Sequence, residues 1–208
     1  MMPGMSTIQG RLLRVLALGS LILLGGCATA PMIQEETDPQ RIGLWRSHQQ
    51  QLQAIQQWQI EGRAAILAQG TGGQVAFDWS RATEQQVLNI KTPLGQNVLQ
   101  LTHNAKGVVL VDHEGEIHQG TDGEALLRET LGWSVPFEAM HAWLLGLPAT
   151  GNDAYSLDPE GRILRMHSHG WRIEYQRYTT LNGVALPSKM ELTHMDLTLR
   201  LIVDRWRL

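Results

Sequence analysis

The sequence predicts a mainly antiparallel β fold with helices, an α+β class in which one sheet of about eleven strands curls around an apolar face. Three observations carry this. Apolar residues alternate with polar ones in many short runs, turn residues separate those runs, and strand and helix do not alternate regularly. The chain has 208 residues, 43% hydrophobic and 18% charged, which excludes wholesale disorder. Its formal charge of −3 forces no basic face, so nucleic acid is not an expected partner.

The first 26 residues are an address and not part of the fold. Arg11 and Arg14 precede the apolar run Val15–Leu24, too short to span a bilayer comfortably. The run ends at Leu24-Gly25-Gly26-Cys27, and Cys27 is the only cysteine. Removing residues 1–26 takes away two arginines and no acid, which leaves a mature charge of −5. Residues 27–37 read as a tether without periodicity, and the body begins at residue 38.

Asp38-Pro39 has the form of an N-cap followed by proline in the first helical turn. Ile42, Trp45, Leu52 and Ile55 continue at near-helical spacing, which predicts a helix over about 38–56. At Trp58 the period changes to two. Trp58, Ile60, Gly62, Ala64 and Ile66 share one face of a strand, and Val75, Phe77 and Trp79 share one face of the next. Further strands are expected at 85–91, 96–103, 107–112 and 115–119. Thr121 and Glu124 have the spacing of a capping box before a short helix ending at Gly132. A second short helix is expected over Pro136–Leu145, with Met140, Trp143 and Leu144 on one face. Strands return at 154–158, 162–168, 171–178, 185–193 and 197–206, with Asn182-Gly183 a strong turn signal.

No motif for catalysis stands out. The chain lacks a Gly-x-Ser-x-Gly elbow and a phosphate-cradling Gly-x-x-x-x-Gly-Lys loop. His167 and His169 lie two apart, but no carboxylate or cysteine stands at ligand spacing beside them. No catalytic residue, metal or cofactor is therefore expected. Thr92-Pro93-Leu94-Gly95 is more informative. It has turn chemistry, yet Leu94 occupies a place usually polar. Leu94 either folds back into the core or projects outward, where lipid rather than water would favour it by roughly 1.5–3 kcal/mol on full burial.

Several blocks together resemble one family. They are the lipobox ending at Cys27, Trp58-x-Ile60-x-Gly62-Arg63, Thr92-Pro93-Leu94-Gly95, Leu131-Gly132-Trp133-x-Val135-Pro136, Trp143-Leu144-Leu145-Gly146-Leu147-Pro148, Gly170-Trp171-x-Ile173-x-Tyr175 and Leu186-Pro187. In this order they are similar to the outer-membrane lipoprotein receptor LolB family. The resemblance implies a half-open barrel with a helical lid. It implies acylation of Cys27 and anchoring in the periplasm-facing leaflet of the outer membrane. It further implies a monomeric receptor that takes lipoproteins from the periplasmic carrier LolA and inserts them into outer-membrane lipid without nucleotide hydrolysis. The family's projecting apolar residue maps onto Leu94. Candidates for the wall of an acyl-chain cavity are Trp58, Ile60, Ile66, Phe77, Trp79, Leu88, Ile90, Leu99 and Leu101 on the sheet, with Met140, Trp143 and Leu144 on the lid. Beside a lipid-modifying enzyme, for which no motif speaks, two other readings remain open at this point. One is a lipid-anchored binding protein for another amphiphile, such as a glycolipid; the other is a structural lipoprotein.

Overall fold

A computed structural model describes residues 38–68 and 70–208. The expected signal segment, Cys27 and the tether lie outside the described residues.

Eleven antiparallel strands form one sheet: β1 (Trp58–Ala68), β2 (Thr71–Arg81), β3 (Gln85–Lys91), β4 (Asn97–Asn104), β5 (Gly107–Asp112), β6 (Ile117–Gly120), β7 (Ala154–Leu157), β8 (Ile163–Ser168), β9 (Trp171–Leu181), β10 (Val184–His194) and β11 (Leu197–Arg207). Their order across the sheet is β6-β5-β4-β3-β2-β1-β11-β10-β9-β8-β7. Two meanders are thus joined where the first strand pairs with the last, Ile60 beside Trp206 and Ala64 beside Leu201. The edges are β6 and β7, so the sheet is open and not a closed barrel. Between those edges the chain forms α2 (Gly123–Leu131) and α3 (Phe137–Leu145); α1 (Pro39–Gln53) precedes the sheet.

Local chemistry accounts for most boundaries. Asp38 caps α1 by accepting from Gln40 N at 2.9 Å, with Pro39 in the first turn. The α2 cap is Asp122 and not Thr121: its carboxylate accepts from Glu124 N and Ala125 N. A carboxylate one residue nearer the helix takes the amides that the Thr121 spacing assigned to a hydroxyl, and the negative charge suits the helix N-terminus. Gly132 and Gly146 end their helices with φ of 75° and 81°. Helix α1 stops at Gln53, short of residue 56, and β6 starts at Ile117 because the turn at Asp112 extends to Glu116.

The five turns at one end of the sheet, here the distal end, are those following β1, β3, β5, β8 and β10. The proximal end holds the turns following β2, β4, β7 and β9, together with the entry from α1 into β1.

The core lies between one face of the sheet and the helices. Helix α3 spans that face. Phe137 at its start stacks on Trp79 of β2 (centroids 4.9 Å apart), and at its end Gly146 lies so close to β10 that a Cβ there would be 3.3 Å from Pro187 Cγ. Tyr175 donates its hydroxyl to Trp143 O at 2.9 Å. Helix α2 rests on β5 and β6, with Gly123 against Val108 and Gly120 against Leu126. Helix α1 packs on β10, where His48 Nε2 donates to Ala185 O at 2.8 Å, and its Leu44–Trp45 backbone sits directly on Gly161. Burial holds the His48 and His141 imidazoles below their ordinary value.

Two predictions follow the packing. A Cβ at Gly62 would overlap Ile202 O and come within 2.7 Å of Phe77 Cζ. Gly62→Ala is expected to lose about 1–3 kcal/mol, read as a lower urea midpoint at unchanged slope. The second concerns pH. A buried neutral imidazole binds fewer protons folded than unfolded, so its contribution is present above about pH 6.5 and is lost as pH falls below it. The urea midpoint should drop between pH 7.5 and 5.5, and less so in His141→Gln.

Candidate functional site

Three strands of the first meander and the last strand of the second direct apolar side chains at α2 and α3. The register is what aligns them. Ala64 faces Val75 and Leu201, Ile66 faces Leu199, Phe77 faces Ile90, and Trp79 faces Leu88. These residues form the floor of a cavity. Its roof is Leu127 from α2, Met140 and Leu144 from α3, and Trp133 and Val135 from the loop between them. Every lining side chain is apolar. The cavity encloses only about 70 Å³. That is far below the roughly 300–1,000 Å³ of pockets that bury a drug-sized ligand, so no long hydrocarbon chain is held without movement of the helices.

Seven of the twelve residues named from the sequence as cavity candidates come together here: Ile66, Phe77, Trp79, Leu88, Ile90, Met140 and Leu144. The other five are buried but line core elsewhere. Trp58 and Ile60 sit toward the proximal end, where Trp58 meets Trp79 and Trp206 edge-on at 5.9 and 6.0 Å. Leu99 and Leu101 lie further along the sheet, where Leu101 and Val108 pack beneath Gly123 of α2. Trp143 turns to the second meander, against Trp171. Leu127, Trp133 and Val135 of the roof were missed, and the floor residues missed fall into two groups. Ala64 and Val75 share the alternation of Ile60–Ile66 and Val75–Trp79, so the signal was in the sequence. Leu199 and Leu201 reach the cavity only through the β1–β11 pairing, which joins residues about 140 apart in sequence and leaves no local trace.

A polar chain fixes α3 against the sheet. Trp143 Nε1 donates to Ser168 Oγ (3.1 Å), and Ser168 donates to Asp153 Oδ2 (2.8 Å). Asp153 also accepts from Ala149 N, Thr150 N and the Thr150 hydroxyl, and these bonds outweigh its partial burial to keep its carboxyl below the usual range. His169 Nδ1 is 3.0 Å from Ser168 Oγ. Serine, histidine and aspartate therefore meet, but in the wrong order for hydrolysis. The carboxylate holds the serine and not the histidine, and Ser168 is 3% exposed. His167 is exposed on β8, and His169 lies in the turn to β9 with φ 51°.

The β3–β4 loop settles where Leu94 goes. Gly95 N donates to Thr92 O at 2.9 Å, which closes a turn with Pro93 and Leu94 at its centre, and Thr92 Oγ1 accepts from Gln96 N. This locked loop projects Leu94 outward at 91% exposure. Ile66, Val75 and Ile90, the half-buried residues of the cavity floor, lie toward the same distal end, whereas Trp79 and Leu88 close the proximal side.

Leu144, 1% exposed, forms part of the roof. Leu144→Ala is expected to lose about 2–5 kcal/mol in urea unfolding. It should also raise affinity for an apolar fluorophore, because the void it opens joins the existing one. Unchanged fluorophore binding would show that the void is closed to ligands.

The family described as "Outer membrane lipoprotein LolB" matches residues 56–206. The "Outer-membrane lipoprotein LolB" of Nitrosococcus oceani is 38% identical over 191 residues, which are 91% of this chain and 94% of that protein. The protein of the same name from Aeromonas hydrophila is 31% identical over 196 residues, covering 94% of this chain and 96% of its own length. Among solved structures, a DUF1329 family protein from Desulfovibrio piger shares the fold. It has a TM-score of 0.56 at 10% identity, and the match covers 82% of this chain and 93% of that one.

Proposed function

This chain belongs to the LolB family of outer-membrane lipoproteins, and from that premise we propose that it receives acylated lipoproteins from the periplasmic carrier LolA and delivers them to the outer membrane. The observation that carries the reading is a wholly apolar cavity, walled by two meanders and two helices, beside a loop that projects a leucine into solvent.

The task is physical before it is chemical. Burying hydrocarbon is worth about 0.8 kcal/mol per CH₂, so three long chains hold a client in a bilayer by tens of kcal/mol. Free passage through water is not feasible. The receptor offers an apolar surface next to the carrier's, so the chains are never fully wetted. Their burial supplies the free energy to lift α2 and α3 from the sheet and open the 70 Å³ void. Direction comes from successive gains in affinity, from carrier to receptor to bilayer, and no nucleotide enters.

Cys27, diacylated on sulfur and acylated on its amine, anchors the protein in the periplasm-facing leaflet. The eleven-residue segment 27–37 spans at most about 36–40 Å, which keeps the body close to the lipid it serves. Leu94 enters that lipid and assists discharge.

The deciding experiment mixes carrier-bound lipoprotein, this protein and outer-membrane vesicles without ATP, and follows the lipoprotein into the vesicles. Failure of transfer, or mass-spectrometric recovery of a glycolipid in place of lipoprotein, would overturn the assignment. Leu94→Glu is expected to preserve transfer from the carrier and to abolish incorporation into liposomes. Equal incorporation by parent and variant would remove Leu94 from the mechanism.

A further inference from the structure

Exposed apolar side chains are distributed unevenly over the molecule. Among the described residues, seven large ones are exposed: Leu44, Leu67, Leu94, Ile117, Leu164, Met195 and Leu208. Four of these belong to four different distal hairpins. Ile117 begins β6, Leu94 tops the β3–β4 loop, Leu67 is next to last in β1, and Met195 tops the β10–β11 turn. The tips of the four proximal turns carry none; Leu164 at the start of β8, Leu44 of α1 on Gly161 and the terminal Leu208 lie toward that end, none more than 47% exposed, against 64%, 88% and 91% for Ile117, Met195 and Leu94.

Met195 is the most telling. It is 88% exposed and has φ 47°, a left-handed conformation that favours glycine, asparagine or aspartate. The proximal β9–β10 turn has the same two-residue length and fills the equivalent position with Asn182, φ 52°, followed by Gly183. The β8–β9 turn uses His169 and Gly170. Met195 gains neither burial nor good turn chemistry where it stands. A residue unfavourable on both counts points to a role beyond folding.

We propose that the distal end of the sheet is a bilayer-docking rim in which Met195 and Ile117 contact lipid together with Leu94. The proposal rests on the reading above, and it adds contact residues and an orientation. The geometry favours a bilayer over a protein partner. Strands are about 4.8 Å apart, so the four hairpins, each two strands from the next, stand about 10 Å apart in a row of about 30 Å. A protein interface concentrates its apolar contacts in one packed centre. Single side chains on separated tips instead suit a fluid medium that fills the gaps between them. The segment between Cys27 and residue 38 sets no orientation by itself. This eleven-residue tether is as long as an extended eleven-residue strand, so the anchor alone leaves either end of the sheet free to face the membrane. The rim removes that freedom. It turns the half-buried floor residues Ile66, Val75 and Ile90 toward lipid, so that acyl chains leave the cavity where the bilayer begins.

The test uses the mature, lipidated chain on vesicles of phosphatidylethanolamine and phosphatidylglycerol. Met195→Cys, Ile117→Cys and, as the proximal control, Asn182→Cys are each labelled with an environment-sensitive fluorophore. Lipids carrying nitroxides in their tails then serve as quenchers. Labels at 195 and 117 should shift to the blue and lose most of their fluorescence, while the label at 182 does neither. Equal behaviour at all three sites, or no quenching at 195 and 117, would overturn the rim. The parent chain treated with the same reagent reports separately on the anchor. An acylated Cys27 takes no label, whereas labelling of the parent refutes the anchor and leaves the rim to be judged on its own data.

Discussion

Pairing of β1 with β11 creates the site. Without it the chain would be two meanders, each with an apolar face too small to hold anything. Once Ala64 stands beside Leu201 and Ile66 beside Leu199, the faces become one surface with contributions from both ends of the sequence. Gly62 permits the close fit at this seam, since Ile202 O and Phe77 occupy the space of a side chain. The pairing also determines where the helices go. The chain leaves the sheet at one edge and re-enters at the other, so α2 and α3 must cross the face between.

That crossing explains how a cavity comes to exist in a molecule otherwise packed in the ordinary way. Helix α3 is buried almost all round, and bonds from Trp143 and Tyr175 hold its second half to β8 and β9. Its first half faces the opposite meander through Phe137 and Met140. One polar contact ties this half to the meander at the proximal end, His103 Nδ1 to Glu138 Oε1 at 2.7 Å; around the 70 Å³ gap the contact is apolar. Such a contact parts at modest cost when other hydrocarbon replaces it, because dispersion and dehydration are recovered with the new partner.

Much of this was legible in the sequence, and the exceptions have physical causes. Alternation placed Phe77, Trp79, Leu88 and Ile90 on one face, and turn chemistry placed Asn182-Gly183, Gly132 and Gly146. Those signals are local. Whether Leu94 projects was open, because a turn containing Pro and Gly fits either outcome; in the structure the bonds of Thr92 to Gly95 and Gln96 close the turn and leave Leu94 exposed. Nor could burial tell cavity from core. Trp58, Ile60, Leu99, Leu101 and Trp143 obey the same pattern as the cavity floor, yet they touch other partners, since periodicity selects a face and only topology selects a neighbour. The cap at Asp122 was missed because a hydroxyl and a carboxylate stood side by side.

The two outermost strands, β6 and β7, are also the two shortest, four residues each. An open sheet invites a second copy to zip onto its unpaired amides, and confinement to a surface raises the rate at which copies meet. Short margins leave an intruding strand too little backbone to grip. The molecule thus keeps the gap through which its helices pass and still resists polymerising sideways, a hazard that a fully closed barrel escapes only by giving up the gap.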